Sequence, residues 1–109
     1  MHKIDTSQLE FIDPKLRKLL FDIEVRHGTQ VITSLYRIND TGVHGTLPVR
    51  GCDLRARMGK TITNGIVNWV NKYWQYDPKR PGREVAIAHG ENENFHIHLQ
   101  VHPNTIERD

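Results

Sequence analysis

The sequence predicts an α+β domain in which two helices pack on a small, mainly antiparallel β-sheet. Apolar residues recur at helical spacing in two segments, and in a third segment they alternate with polar residues, as in a half-buried strand. The 109 residues suit one domain, so we expect residues 1–109 to fold together. Residues 1–12 would form a lead-in, and residues 103–109 would fray.

The first helix is predicted over residues 14–27. Asp13 can serve as the N-cap, Pro14 suits the first helical position, and Gly28 is a natural stop. One face of this segment is apolar and is expected in the core: Leu16, Leu19, Leu20 and Ile23.

The second helix is predicted from about Lys60 to Trp74. Its expected core face is Ile62, Ile66, Trp69, Val70 and Tyr73. The aromatic residues of this region have a second interpretation, a surface on which a carbohydrate stacks. Core packing is the commoner use for Trp69 and Tyr73, whereas Trp74 and Tyr76 could line a groove.

The predicted strands lie before and after the second helix along the sequence. Residues 30–36 are apolar and β-branched, residues 38–50 form an irregular loop, and a short strand follows at Cys52, Asp53 and Leu54. After a turn at residues 77–83, Val85 and Ile87 mark one strand and residues 95–101 another, with a polar loop at 89–94 between them.

Composition narrows the classes of function. A net charge of +2 without a basic stripe argues against a nucleic-acid partner. Cys52 is the only cysteine, so a Cys-rich zinc site is excluded, and we expect a small buried residue there. We find neither a membrane-spanning apolar run nor a signal-peptide h-region, so a cytoplasmic location is expected, with a separate route needed to reach a cell wall.

The segment FHIHLQV places histidines on one face of a strand. Phe95, Ile97, Leu99 and Val101 share one face, while His96, His98, Gln100 and His102 share the other. Side chains two residues apart lie about 7 Å apart along a strand, so His96 and His98 can address one small volume.

The segment HGTLPVRGCD supplies a second group of candidate ligands. His44 and Asp53 bracket a loop that Gly45, Pro48 and Gly51 can fold back on itself. Imidazole and carboxylate are both good zinc ligands, and catalytic zinc sites take three protein ligands and a water. His89 ends a strand near these residues and could support them.

The order of these motifs resembles the zinc D-Ala-D-Ala carboxypeptidase and hedgehog-type superfamily, from about Leu16 to Val101. The segment Ser34-Leu35-Tyr36-Arg37 is followed by His44, by Gly51-Cys52-Asp53-Leu54, and by His96-Ile97-His98. The resemblance implies that His44, Asp53 and His98 bind zinc. It also implies that His96 lies beside the metal, that Glu93 acts as the base, and that Arg37 holds a substrate carbonyl or carboxylate.

Two features depart from the family pattern. Eight residues separate His44 from Asp53, two more than usual, and Thr46 stands at the usual position of the first histidine. Either the loop carries an insertion containing Leu47-Pro48 or His44 is not the ligand. We favour the insertion, because no other histidine lies between Arg37 and Asp53. The segment from Glu93 to His96 also forms an E-x-x-H pair like that of the dipeptidase branch. In that alternative, His96 is the ligand and His98 is secondary.

By resemblance, the expected activity is hydrolysis of an amide bond in peptidoglycan peptides, of D,D-carboxypeptidase or endopeptidase type, with zinc-bound water as the nucleophile. A small enzyme of this kind would suit phage or prophage lysis as an endolysin. The alternative is a non-catalytic protein, a virion component or regulator, that keeps the zinc for structure or binding. A zinc-dependent nuclease fits poorly, for lack of a basic stripe.

Overall fold

The computed structural model describes residues 12–36, 49–56, 59–91 and 95–108. It contains two helices and six strands in this part of the chain. In chain order they are α1 (Pro14–His27), β1 (Ile32–Tyr36), β2 (Gly51–Arg55), α2 (Lys60–Tyr73), β3 (Trp74–Gln75), β4 (Ala86–His89), β5 (His96–Gln100) and β6 (Ile106–Glu107).

The strands form two antiparallel sheets. The larger sheet has the order β1-β2-β5-β4, so β2 and β5 are its central strands, and β3 pairs with β6 in a separate two-stranded sheet. The predicted α+β class, with two helices and a mainly antiparallel sheet, is confirmed. Neither helix in the described ranges is long and apolar enough to cross a membrane.

Helix α1 begins and ends where its capping residues predict. The Asp13 side chain accepts a hydrogen bond from Lys15 N at 2.8 Å, and Pro14 occupies the first helical position. Gly28, at φ 88°, donates its N–H to Glu24 O at 2.9 Å and closes the last turn. All four predicted core residues of this helix are buried.

Helix α2 faces the sheet with a stripe that is rotated from the predicted one. Ile66 and Val70 are buried as expected, and Thr63 is buried with them. Ile62 and Tyr73 instead remain 57% and 37% exposed. At about 100° per residue, Thr63, Ile66 and Val70 fall within an arc of about 60°. Ile62 and Tyr73 lie beyond the Ile66 edge of this arc, on the side away from Thr63. The helix also ends one residue early, because Trp74 begins β3.

The core lies between the helices and one face of the larger sheet. It contains Cys52 and Leu54 of β2 and Ile97 and Leu99 of β5, all with no exposed surface. Trp74 and Tyr76, which the sequence leaves open as groove residues, are 4% and 2% exposed.

Strand β4 lies at the edge of the larger sheet and is held there by helix α2. Asn71 Nδ2 donates to Ala86 O at 2.8 Å, and Ala86 N donates back to Asn71 Oδ1 at 3.0 Å. The side-chain amide therefore takes the place of a neighbouring strand and satisfies both backbone groups of the buried Ala86.

The polar face of β5 is shorter than the sequence predicts. Gln100 is buried, and its Nε2 donates to Glu84 O at 2.8 Å. His102 lies beyond the strand, where its ring packs against Tyr76 at a centroid distance of 5.5 Å.

The described end of the chain, residues 103–108, is ordered into a turn and strand β6, where the sequence predicts fraying. Thr105 is buried, and its Oγ1 donates to Tyr76 O at 2.7 Å. Lys15 Nζ donates to the carbonyl oxygens of Pro103 and Thr105. These long-range contacts attach the segment to α1 and to the core.

Candidate metal centre

Asp53 and His98 lie opposite each other on the two central strands. The register pairs Asp53 with His98 and Cys52 with Leu99. Val101 N donates to Arg50 O at 2.9 Å, and the alternation of antiparallel pairs then makes Asp53 and His98 a non-hydrogen-bonded pair. In such pairs the Cα atoms approach to about 4.5 Å and the side chains are close.

The Asp53 carboxylate is the point on which both histidines of β5 converge. His98 Nδ1 lies 3.1 Å from Asp53 Oδ1, and His96 Nε2 lies 3.8 Å from the same oxygen. Asp53 is 9% exposed, whereas the side chains of His96 and His98 are 27% and 29% exposed. A mostly buried carboxylate is thus capped on its solvent side by two imidazoles.

These three side chains border a cavity of about 350 Å³ on the sheet face opposite the core. Strand β4 completes its wall, because the register places Ile87 beside His98 and His89 beside His96. The rings of His89 and His96 have centroids 5.2 Å apart. Ile87, 37% exposed, is the apolar residue of this wall, and its place follows from a β4–β5 register that the sequence pattern alone does not specify.

The spacing of the donor atoms can be compared with that of a zinc site. Two donors on one tetrahedral zinc lie roughly 3.3 Å apart, given bonds of about 2.0–2.1 Å. The separations of 3.1 and 3.8 Å from Asp53 Oδ1 lie on either side of this value. One carboxylate and two imidazoles are also a suitable donor set for zinc. The donor types thus suit zinc, while the 3.1 Å between His98 Nδ1 and Asp53 Oδ1 is the length of a hydrogen bond.

The described residues do not by themselves complete a zinc site. No group of three or more His, Cys, Asp or Glu side chains in ranges 12–36, 49–56, 59–91 and 95–108 is arranged to hold a metal ion. Of the predicted site residues, the fold brings together Asp53, His96 and His98. The third predicted ligand His44, and the predicted catalytic residues Arg37 and Glu93, lie outside the described residues.

Cys52 takes no part in this site. Its side chain points to the opposite face of β2 and has no exposed surface. Burial, together with the neighbouring charge of Asp53, raises the pKa of the Cys52 thiol, so the thiol stays protonated and is unsuited to act as a nucleophile or zinc ligand. The prediction of a small buried residue is confirmed.

Comparison with protein-family models, with curated proteins and with solved structures gives no match for this chain. The resemblance to the zinc carboxypeptidase superfamily therefore rests on the sequence motifs and remains a prediction.

Proposed function

We propose that this protein is a zinc-dependent peptidase that hydrolyses an amide bond in peptidoglycan peptides. The observation that carries the proposal is the convergence of His98 and His96 on one oxygen of Asp53, at the edge of an open cavity. The family and the substrate class are proposed from the order of the sequence motifs.

In this proposal, zinc is held by Asp53, His98 and His44. The cross-strand pairing of β2 and β5 holds Asp53 and His98 opposite each other on two central strands, which supports their proposed role as ligands. A zinc ion bound there would lower the pKa of a bound water and polarise the amide carbonyl.

The neighbouring side chains would position the substrate and move its protons. His96 Nε2 lies 3.8 Å from the same Asp53 oxygen that His98 contacts. This closeness supports the proposal that its ring donates a hydrogen bond to the carbonyl oxygen or takes a proton from the attacking water. Glu93 is proposed as the general base, and Arg37 would hold a substrate carbonyl or carboxylate through its planar guanidinium. Their roles come from the motif resemblance.

An open cavity favours catalysis over a purely structural zinc. Structural zinc sites are closed by four protein ligands, whereas catalytic sites keep one position for water or substrate. Space of about 350 Å³ borders Asp53, His96 and His98, which is enough for a short peptide fragment at the lower end of ligand-pocket sizes.

The test is release of new amino groups from purified peptidoglycan. We expect release by the zinc-loaded chain, loss of release with a chelator, and recovery on adding zinc back. His98→Gln should abolish it, while His102→Gln, which changes a histidine packed on Tyr76 outside the cavity, should retain it. Glu93→Gln that binds zinc but releases nothing would support the proposed base.

Two outcomes would contradict the proposal. Zinc binding without release of amino groups from any peptidoglycan would favour the non-catalytic alternative, a zinc-stabilised structural or binding protein. Release that is unchanged by chelation would exclude a metallopeptidase mechanism.

A further inference from the structure

A second cavity, of about 570 Å³, lies between α1, α2 and the end of the chain. It shares no lining residue with the cavity beside Asp53. The proposed peptidase activity does not involve this cavity.

One wall of this cavity is apolar and aromatic. Phe21 and Val25, one turn apart on α1, are 60% and 71% exposed. Trp69 and Tyr73, one turn apart on α2, have ring centroids 5.5 Å apart at an interplanar angle of 50°. Exposed apolar side chains gathered around one cavity are characteristic of binding sites.

The polar rim of the cavity contains two acids and two arginines, and Lys18, which is bonded to both acids, brings the charged group to three basic and two acidic side chains. Its two acids, Asp22 and Glu107, both accept hydrogen bonds from Lys18 Nζ, at 2.7 and 3.2 Å. The rim also carries Arg26 and Arg108, and in the described part of the chain neither guanidinium has an acidic partner. These two guanidiniums, and not the rim as a whole, are therefore the groups that could bind an anion.

The size and shape of the cavity favour a small ligand. Its volume lies within the 300–1,000 Å³ typical of small-molecule sites. The cavity is open to solvent, so a bound ligand would keep part of its hydration shell and could continue into a longer polymer.

We propose that this cavity binds an acidic saccharide unit. The C–H face of a sugar ring would pack on Trp69 and Tyr73, and its carboxylate would bind Arg26 and Arg108. A sugar combines an apolar face with a polar edge, which matches the aromatic wall and charged rim.

Intrinsic fluorescence tests this proposal directly, because the only two tryptophans of the chain, Trp69 and Trp74, both line this cavity. We expect a saturable change with N-acetylmuramic acid, and affinity about tenfold weaker for the neutral N-acetylglucosamine, which lacks the carboxylate. Raising the salt concentration should weaken the binding of the acidic sugar.

Variants identify the site. Arg26→Gln or Arg108→Gln should each weaken binding of N-acetylmuramic acid about tenfold. Arg83→Gln, a matched exposed arginine that lies over the Tyr76 ring, should leave binding unchanged. Asp53→Asn should also leave it unchanged, which separates this site from the proposed metal centre.

The proposal is overturned if N-acetylmuramic acid gives no saturable response, or if it binds no better than N-acetylglucosamine. It is equally overturned if both Arg26→Gln and Arg108→Gln bind like the unchanged chain. Tighter binding of benzoate than of the acidic sugar would also overturn the proposal, because it would identify the ligand as an apolar carboxylate and not a saccharide.

Discussion

Removing the Asn71 side chain should loosen the edge of the sheet that borders the candidate metal centre. Asn71→Ala deletes the donor to Ala86 O and the acceptor from Ala86 N, which lie at 2.8 and 3.0 Å. Ala86 has no exposed surface, so water cannot readily replace the lost partners.

The expected cost follows from the two backbone groups that lose their partners. Each buried polar group left without a hydrogen bond costs about 1–3 kcal/mol, so for two groups we expect a loss of roughly 2–6 kcal/mol in the free energy of unfolding. Asn68→Ala, on the exposed side of the same helix, is the matched control, because both changes gain the same helix propensity.

Urea denaturation of both variants measures this difference. We expect a lower midpoint for Asn71→Ala than for Asn68→Ala, with the same slope, because the loss is one of stability and not of the surface exposed on unfolding. Equal midpoints for the two variants would refute the assigned role of the Asn71 amide.

Three further predictions concern the core and the pH dependence of stability. Leu99→Ala should lower the free energy of unfolding by about 2–5 kcal/mol, because Leu99 is fully buried; a loss below 1 kcal/mol in urea denaturation would contradict this packing. Cys52 should react with a thiol reagent only as the chain unfolds, since burial raises its thiol pKa; rapid labelling of the native chain would contradict its position. The hydrogen bond from Lys79 N, at 3.0 Å, lowers the pKa of Asp77. The stabilisation from Asp77 should therefore be present above about pH 4 and lost as the pH falls through its native pKa. In Asp77→Asn, the urea midpoint should fall less steeply as the pH is lowered below about 4. An unchanged decrease would argue against the contribution of Asp77.

Local signals explain why helix α1 could be predicted with its exact bounds. Asp13, Pro14 and Gly28 each act within one turn of the helix end, so their effect can be inferred without knowledge of the rest of the fold. The face of α2 is less determined, because its apolar residues span more than the stripe that the sheet covers. Thr63 is buried and Ile62 is exposed, an outcome that depends on how the helix packs and not on its own sequence.

In the candidate site, too, only the features that depend on a single strand could be predicted from the sequence. Alternation along β5 correctly places His96 and His98 on one face. The approach of His98 to Asp53 depends on a pairing between residues 45 positions apart in the chain, which strand periodicity does not specify. The wall formed by Ile87 and His89 depends on a second such pairing.

Zinc content tests the central claim most directly. The purified chain, stripped of metal and reconstituted with zinc, should retain about one zinc per chain by elemental analysis, as expected for a site with three protein ligands. His44→Gln, Asp53→Asn and His98→Gln should each lose it, whereas Asp22→Asn, a change to an acid paired with Lys18, should retain it. A chain that binds no zinc, or that keeps a full equivalent after both Asp53→Asn and His98→Gln, would contradict the proposed centre.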